Sequence, residues 1–153
     1  MLSETRLYEE KVKACLQRYF QRKRINVEVE NQWIPFKGEP ISKYSPRIDI
    51  AVGPFAYKDE QYIHEYDRLT NITSDFLNKL LDLFRKNSDD FYFKREIPNN
   101  CEDLNHINRN ARCFIAMEIE KSEKRKYMLG DIINACSLGR IGIIIAWDCS
   151  VLK

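Results

Sequence analysis

Residues 113–148 read CFIAMEIEKSEKRKYMLGDIINACSLGRIGIIIAWD. Phe114 to Lys121 has the composition of a strand that enters the interior, yet it carries Glu118 and Glu120 on its own axis and an ammonium, Lys121, directly after them. Residues at i and i+2 of a strand share a face about 6–7 Å apart, so Glu118 and Glu120 point the same way as Ala116, while Met117 and Ile119 point into packing. KYMLGDIINACSLG predicts a helix that buries Met128, Leu129, Ile132, Ile133 and Cys136 and stops at Gly139. IGIIIAWD is a nearly continuous apolar run, the pattern of a strand covered on both faces.

Two carboxylates side by side repel, so one must hold a proton or both must share a cation. Magnesium, which favours oxygen ligands and keeps several waters, answers that need. Asp49, also set in an apolar strand, is a third ligand if the two strands are neighbours. Such a cluster can activate water and stabilise charge on a phosphate under attack. A straight strand turns Lys121 away from the two glutamates. Twist at the strand end could return it, and Lys124, Lys126 or Lys43 could supply the positive charge instead; the sequence leaves that choice open.

Outward from this stretch, Glu4 to about Arg24 has the spacing of an amphipathic helix, with Leu7, Val12, Cys15, Leu16, Tyr19 and Phe20 largely on one face and Ser3 as N-cap. INVEVENQWIPF alternates as a strand does, KGEP is a turn, and the strand boundary between 27 and 40 stays open. SPRIDIAVGP gives a further strand with Ile48, Ile50 and Val52 on one face and Arg47 and Asp49 on the other. From about 57 to 112 the pattern changes. A helix is expected from near Ser74 (SDFLNKLLDLFRKN), FYFKREIP has the look of a short strand, and NNCEDLNHINRNAR is expected to be a loop. A segment this long between core strands is more often a functional elaboration than an idle connection.

The chain of 153 residues fits one domain, 1–153, with a core that needs no staples. Five cysteines, an odd number without a C-x-x-C pair, are expected to be free thiols rather than zinc ligands. The absence of a long apolar run and of a signal-peptide pattern in MLSETRLYEEKVK leads to the expectation of a cytoplasmic protein with no membrane partner. Net charge is only +2, but residues 1–24 hold seven basic residues against three acidic ones, a local excess that could meet phosphates. His64 and His106 lack a second histidine at ligand spacing and are expected at the surface. Phosphate-cradling glycine loops and nucleophile triads are missing as motifs.

YSPRID, with Pro46 and Asp49, and AMEIEKS, with Glu118, resemble the two motif elements of the PD-(D/E)XK nuclease superfamily, and the following KYMLGDIINACSLGRIGIIIAWD is similar to its crossover helix and fourth strand. The resemblance implies an α/β fold with a restriction-endonuclease-like core, a mixed central β-sheet flanked by helices (αβββαβ), and a helical or loop insertion at about 57–112 between the second and third core strands. It implies magnesium- or manganese-dependent hydrolysis of phosphodiesters, most naturally of DNA. Asp49 and Glu118 would hold the metal, Glu120 would add a ligand or orient water, and Lys121 would steady the nucleophile or the phosphate. Many members carry a glutamate on the first helix that leans toward the metal, a place Glu9 or Glu10 could fill, with Glu10 taken as the metal ligand. Lys43, Arg47, Lys124 and Lys126 are the basic positions expected to meet nucleic acid, and cutting both strands of a duplex often calls for a homodimer. One departure stands out: Glu120 occupies the place of the motif's lysine. Some restriction enzymes of the superfamily work with E-x-E, others relocate the lysine, and others have lost catalysis, which leaves a silent nucleic-acid-binding or scaffolding domain as the alternative.

Overall fold

The computed structural model describes residues 3–36, 45–57, 60–87, 98–106, 108–120 and 125–146. Helix α1, Glu4–Arg22, begins at Ser3, whose Oγ accepts a hydrogen bond from the Arg6 N–H at 3.3 Å and so satisfies one of the unpaired first-turn donors. Strands β1 (Val29–Trp33) and β2 (Ile48–Val52) follow, then helices α2 (Ile63–Ile72) and α3 (Ser74–Asn87) and a short 3₁₀ turn at Cys101–His106. Strand β3 (Cys113–Glu120), helix α4 (Arg125–Leu138) and strand β4 (Gly139–Ala146) complete the order. Helix α2 and the 3₁₀ turn were not expected from the sequence, while FYFKREIP lies outside the described residues except for its terminal proline.

The four strands form one mixed sheet in the order β1-β2-β3-β4, flanked by helices. The first three are antiparallel neighbours, and β3 and β4 run parallel. Parallel neighbours need a crossover, which α4 provides. On one face of the sheet Ile50, Val52, Ile115, Met117 and Ile119 pack with Leu16 and Phe20 of α1, Tyr66 and Leu69 of α2 and Leu77 of α3. The alternate residues Ala51 and Ala116 form the other face with Trp33, Phe55, Ala135 and Leu138. Arg140, buried on β4, is tied to α2 through its ion pair with Asp67. Among the described residues no helix is long and apolar enough to cross a membrane.

Helix α4 reverses the expected burial. Leu129, Ile132, Ile133 and Cys136 are exposed, Met128 is half-buried, and the buried contacts are Ala135 and Leu138. The cause is the tether at its C-terminal end. Leu138 passes directly into Gly139 of β4, the Arg112 N–H donates to the Leu138 carbonyl at 2.7 Å, and Asn108 Nδ2 donates to the carbonyls of Cys136, Ser137 and Gly139, each at 2.9 Å. These bonds hold the helix in the rotation that turns Ala135 and Leu138, not its larger side chains, onto the sheet. Strand β4 also departs from expectation, since only Gly139–Ile141 are buried and Ile143–Ala146 are half-buried at the end of the sheet order. On α1, Leu7 and Cys15 are exposed, and Glu9 takes a buried place instead.

Gly139 sits where a side chain cannot fit: an added Cβ would stand 2.6 Å from the Ile141 carbonyl oxygen and 2.8 Å from the Ala116 nitrogen. Gly130, on the exposed side of α4, has nothing within 4 Å of the same position. Gly139→Ala is therefore expected to destabilise by about 1–3 kcal/mol or more through forced backbone shifts. Gly130→Ala should stabilise by up to about 1 kcal/mol through helix propensity. Urea unfolding of the two variants checks both signs.

Candidate functional site

The β2–β3 ladder pairs Val52 with Ile115, Ala51 with Ala116 and Ile50 with Met117, and one further step along the same register sets Asp49 opposite Glu118. There the side chains take over the backbone's bonding. The Asp49 N–H donates to Glu118 Oε2 at 3.2 Å, and the Ile119 N–H donates to Asp49 Oδ2 at 2.9 Å. A carboxylate on each strand thus caps an N–H of the other.

Strand β1 adds a polar bridge. Gln32 Nε2 donates to Asp49 Oδ1 at 3.0 Å and to Glu9 Oε2 at 3.2 Å. Gln32 has a φ of 54°, a left-handed conformation that costs a non-glycine residue about 1–2 kcal/mol. Glu9 also accepts from Arg6 Nη1 at 3.3 Å. Burial first, then the Asp49 charge, hold the Glu9 carboxyl above its ordinary range against the opposing pull of Gln32 and Arg6.

At the centre, Glu118 is only 3% exposed, and its Oε1 is buried with no hydrogen-bond partner. Burial, followed by the Asp49 charge, pushes its carboxyl from an ordinary 4.5 up to about 8. Helix α4 contributes Asp131, whose carboxyl is raised from 3.8 to about 7 by burial first and then by its hydrogen bond and charge interaction with Glu120. Asp49 and Asp131 act on one another, and Asp131 acts on Glu118. Carboxyl groups from α1, β2, β3 and α4 therefore converge where the β2–β3 ladder opens.

Of the residues singled out from the sequence, Asp49, Glu118 and Glu120 are brought into this cluster. Glu10 is not: it is exposed and its Oε1 accepts from Asn31 Nδ2 at 2.7 Å. The residue one step earlier, Glu9, is the glutamate of α1 that turns inward, because it lies on the side of the helix that buries Leu16 and Phe20. Arg47 is exposed beside the first residue of β2. Lys126 lies on the first turn of α4, and Lys43, Lys121 and Lys124 fall outside the described residues. Cys15, Cys101, Cys113 and Cys136 are free thiols, and His64 is exposed.

Gln32 and Asp131 had not been anticipated. Gln32 left no signal, because a polar residue in an alternating strand has the pattern of a solvent-facing one. Asp131 did leave one: it is the single acid between Tyr127 and Leu138, in a helix otherwise without charge over that span.

Among the described residues no group of three or more His, Cys, Asp or Glu side chains is gathered as a metal-holding set. Magnesium makes a lighter demand, since one or two carboxylates with waters and substrate oxygens suffice. The all-oxygen donors here, with Glu118 Oε1 unpartnered, suit such a hard cation better than zinc. No protein-family model matches the chain, and no curated protein or solved structure is significantly similar to it.

The raised Glu118 carboxyl has a definite sign. Below pH 4.5 the folded and unfolded chains both hold its proton; between 4.5 and about 8 the unfolded chain releases a proton that the folded one keeps. Stability contributed by this group therefore falls as pH rises through that window. Glu118→Gln is expected to raise the melting temperature of the metal-free protein at pH 8 and to change it little near pH 4.5. Thermal melts across pH test this; a displacement that is constant with pH would show that Glu118 is not the group responsible.

Proposed function

We propose that this chain is a magnesium-dependent nuclease on a restriction-endonuclease-like core, hydrolysing phosphodiester bonds of DNA. The observation that carries the proposal is the Glu118 carboxylate oxygen left buried and unpartnered among carboxyls from four elements. A buried polar atom without a partner costs about 1–3 kcal/mol, and a site that binds a cation gives that cost a use. The order of core elements, with α2 and α3 between the second and third strands, agrees with the resemblance seen in YSPRID and AMEIEKS.

In this reading Asp49 and Glu118 hold the ion, which when bound supplies charge neutralisation at the scissile phosphate and a lowered pKa for water. Gln32 and the Ile119 N–H fix the Asp49 carboxylate from two sides, so that it is aimed before substrate arrives. The Asp49 N–H does the same for Glu118 Oε2 and leaves Oε1 for the ion. Glu9 reaches the site through Gln32, in the role first given to Glu10. Glu120 adds a ligand or orients water, and Lys121 is the cation proposed to steady the nucleophile or the phosphate. Arg47, Lys43, Lys124 and Lys126 are proposed to meet the DNA backbone, in a dimer if both strands are cut.

A second reading draws on Glu120 in place of the motif's lysine: a catalytically silent domain that binds nucleic acid. The exposed basic residues of α1, including Lys11, Arg18 and Arg22, would then provide a contact that weakens steeply with salt.

Calorimetric titration with magnesium and manganese, together with cleavage of plasmid and single-stranded DNA, separates the two. Asp49→Asn and Glu118→Gln are each expected to weaken ion binding at least about 10-fold and to lower cleavage by about 100-fold or more. Ion binding identical in the wild type and both variants, or DNA binding without metal-dependent cleavage, would leave the silent domain as the better account.

A further inference from the structure

Helix α4 is apolar on two sides, and the sheet covers only one of them. Ala135 and Leu138 meet the sheet, and Gly142 of β4 lets the helix backbone come close, since an added Cβ there would stand 2.9 Å from the Ala135 carbonyl carbon. Away from that contact Leu129 is 59% exposed, Ile132 38% and Ile133 54%, and Cys136 is exposed with them. These four are spaced i, i+3, i+4 and i+7 and so form one stripe, the spacing by which a helix anchors on a partner. No charged residue interrupts it. A helix with apolar residues on all sides is normally buried on all sides.

The area of the stripe can be set against what a dimer needs. Its four side chains leave roughly 350 Å² in water, the size of patch that marks a binding face on a lone subunit. Two such patches, with the residues that flank them, reach about the 1,000 Å² that a specific interface requires. The stripe also complements itself. When two copies of α4 cross antiparallel about a two-fold axis between Ile132 and Ile133, Leu129 of one faces Cys136 of the other, a large side chain against a small one, and Ile132 faces Ile133. Such an interface closes, and no charge meets a like charge within it. The exposed Leu83 and Phe84 of α3 fit the stripe less well, because the exposed charges of Lys79, Asp82 and Lys86 surround them and a contact between unlike surfaces need not close.

We propose that α4 is a dimerisation helix, its stripe of Leu129, Ile132, Ile133 and Cys136 covered by the same stripe of a second copy in antiparallel, two-fold order. Asp131 lies four residues before Ala135 and seven before Leu138, on the sheet side of the helix, and stays outside the interface. The pairing gives a surface to the dimer named above for cutting both strands. It needs neither metal nor cleavage, so it stands or fails apart from the nuclease reading.

Sedimentation equilibrium of the full chain through the micromolar range is expected to show reversible exchange between monomer and dimer. Ile133→Lys, at a position already exposed in the single subunit, is expected to weaken dimerisation at least about 10-fold, because every dimer contains the change twice. Circular dichroism establishes that the variant is folded, and Ile132→Lys takes its place if it is not. Leu129→Cys reads the order of the helices: on oxidation with diamide its thiol is expected to bond Cys136 of the second copy, giving a covalent dimer that is lost when Cys136→Ser is added. A monomer at every concentration, a dimer indifferent to the lysine variants or an assembly that grows past two copies overturns the proposal. A dimer in which Leu129→Cys yields no such cross-link overturns it as well, since the antiparallel order would be wrong.

Discussion

The exchange of backbone for side-chain hydrogen bonds between β2 and β3 is the constraint around which the site is built. Beyond Ile50 and Met117 the ladder is replaced by the Asp49 N–H on Glu118 Oε2 and the Ile119 N–H on Asp49 Oδ2. Each bond satisfies a donor that would otherwise be stranded, and each aims a carboxylate that would otherwise turn to solvent. Two acids are thereby held in a mostly buried place without a basic residue between them among those described. The local price is electrostatic, and it is visible in the raised carboxyl of Glu118.

The surrounding elements serve this opening in different ways. Helix α1 and strand β1 deliver Glu9 and Gln32, and the Gln32 amide links Glu9 to Asp49 through two hydrogen bonds from one nitrogen. Helix α4 arrives from the other direction, locked by its direct passage into β4 and by Asn108, and places Asp131 next to Glu120. A left-handed Gln32, a buried carboxylate atom without a partner and a helix with its apolar side chains outward are all unfavourable locally. Such departures gather where a structure serves a ligand rather than its own stability.

The apolar side of the sheet supplies the compensating stability. Ile50, Val52, Ile115, Met117 and Ile119 alternate with the site's residues along the same two strands. Both faces of β2 and β3 are packed along most of their length, and the acids Asp49, Glu118 and Glu120 fall where the β2–β3 pairing ends. The rigidity of the carboxylates follows from the burial of their neighbours, which makes side-chain motion at the site costly.

Much of the core was legible in the sequence because its signals are local. The alternation in SPRIDIAVGP and CFIAMEIEK marked two strands and separated Asp49, Glu118 and Glu120 from Ile50, Ile115 and Ile119, although Ile48, expected beside Ile50 and Val52, packs with Trp33 and Ala51 instead. Ser3 and the spacing of Leu16 and Phe20 marked α1, and the run after Gly139 marked β4. What the sequence could not contain was how far each element rotates and slides against the others. The β2–β3 register decided that Asp49 meets Glu118. The packing side of α1 chose Glu9 over Glu10, and the tether of α4 turned Leu129, Ile132 and Ile133 outward and Asp131 inward. Periodicity states which residues share a face, whereas which face is buried depends on contacts between elements distant in the chain, and only the tertiary structure decides those.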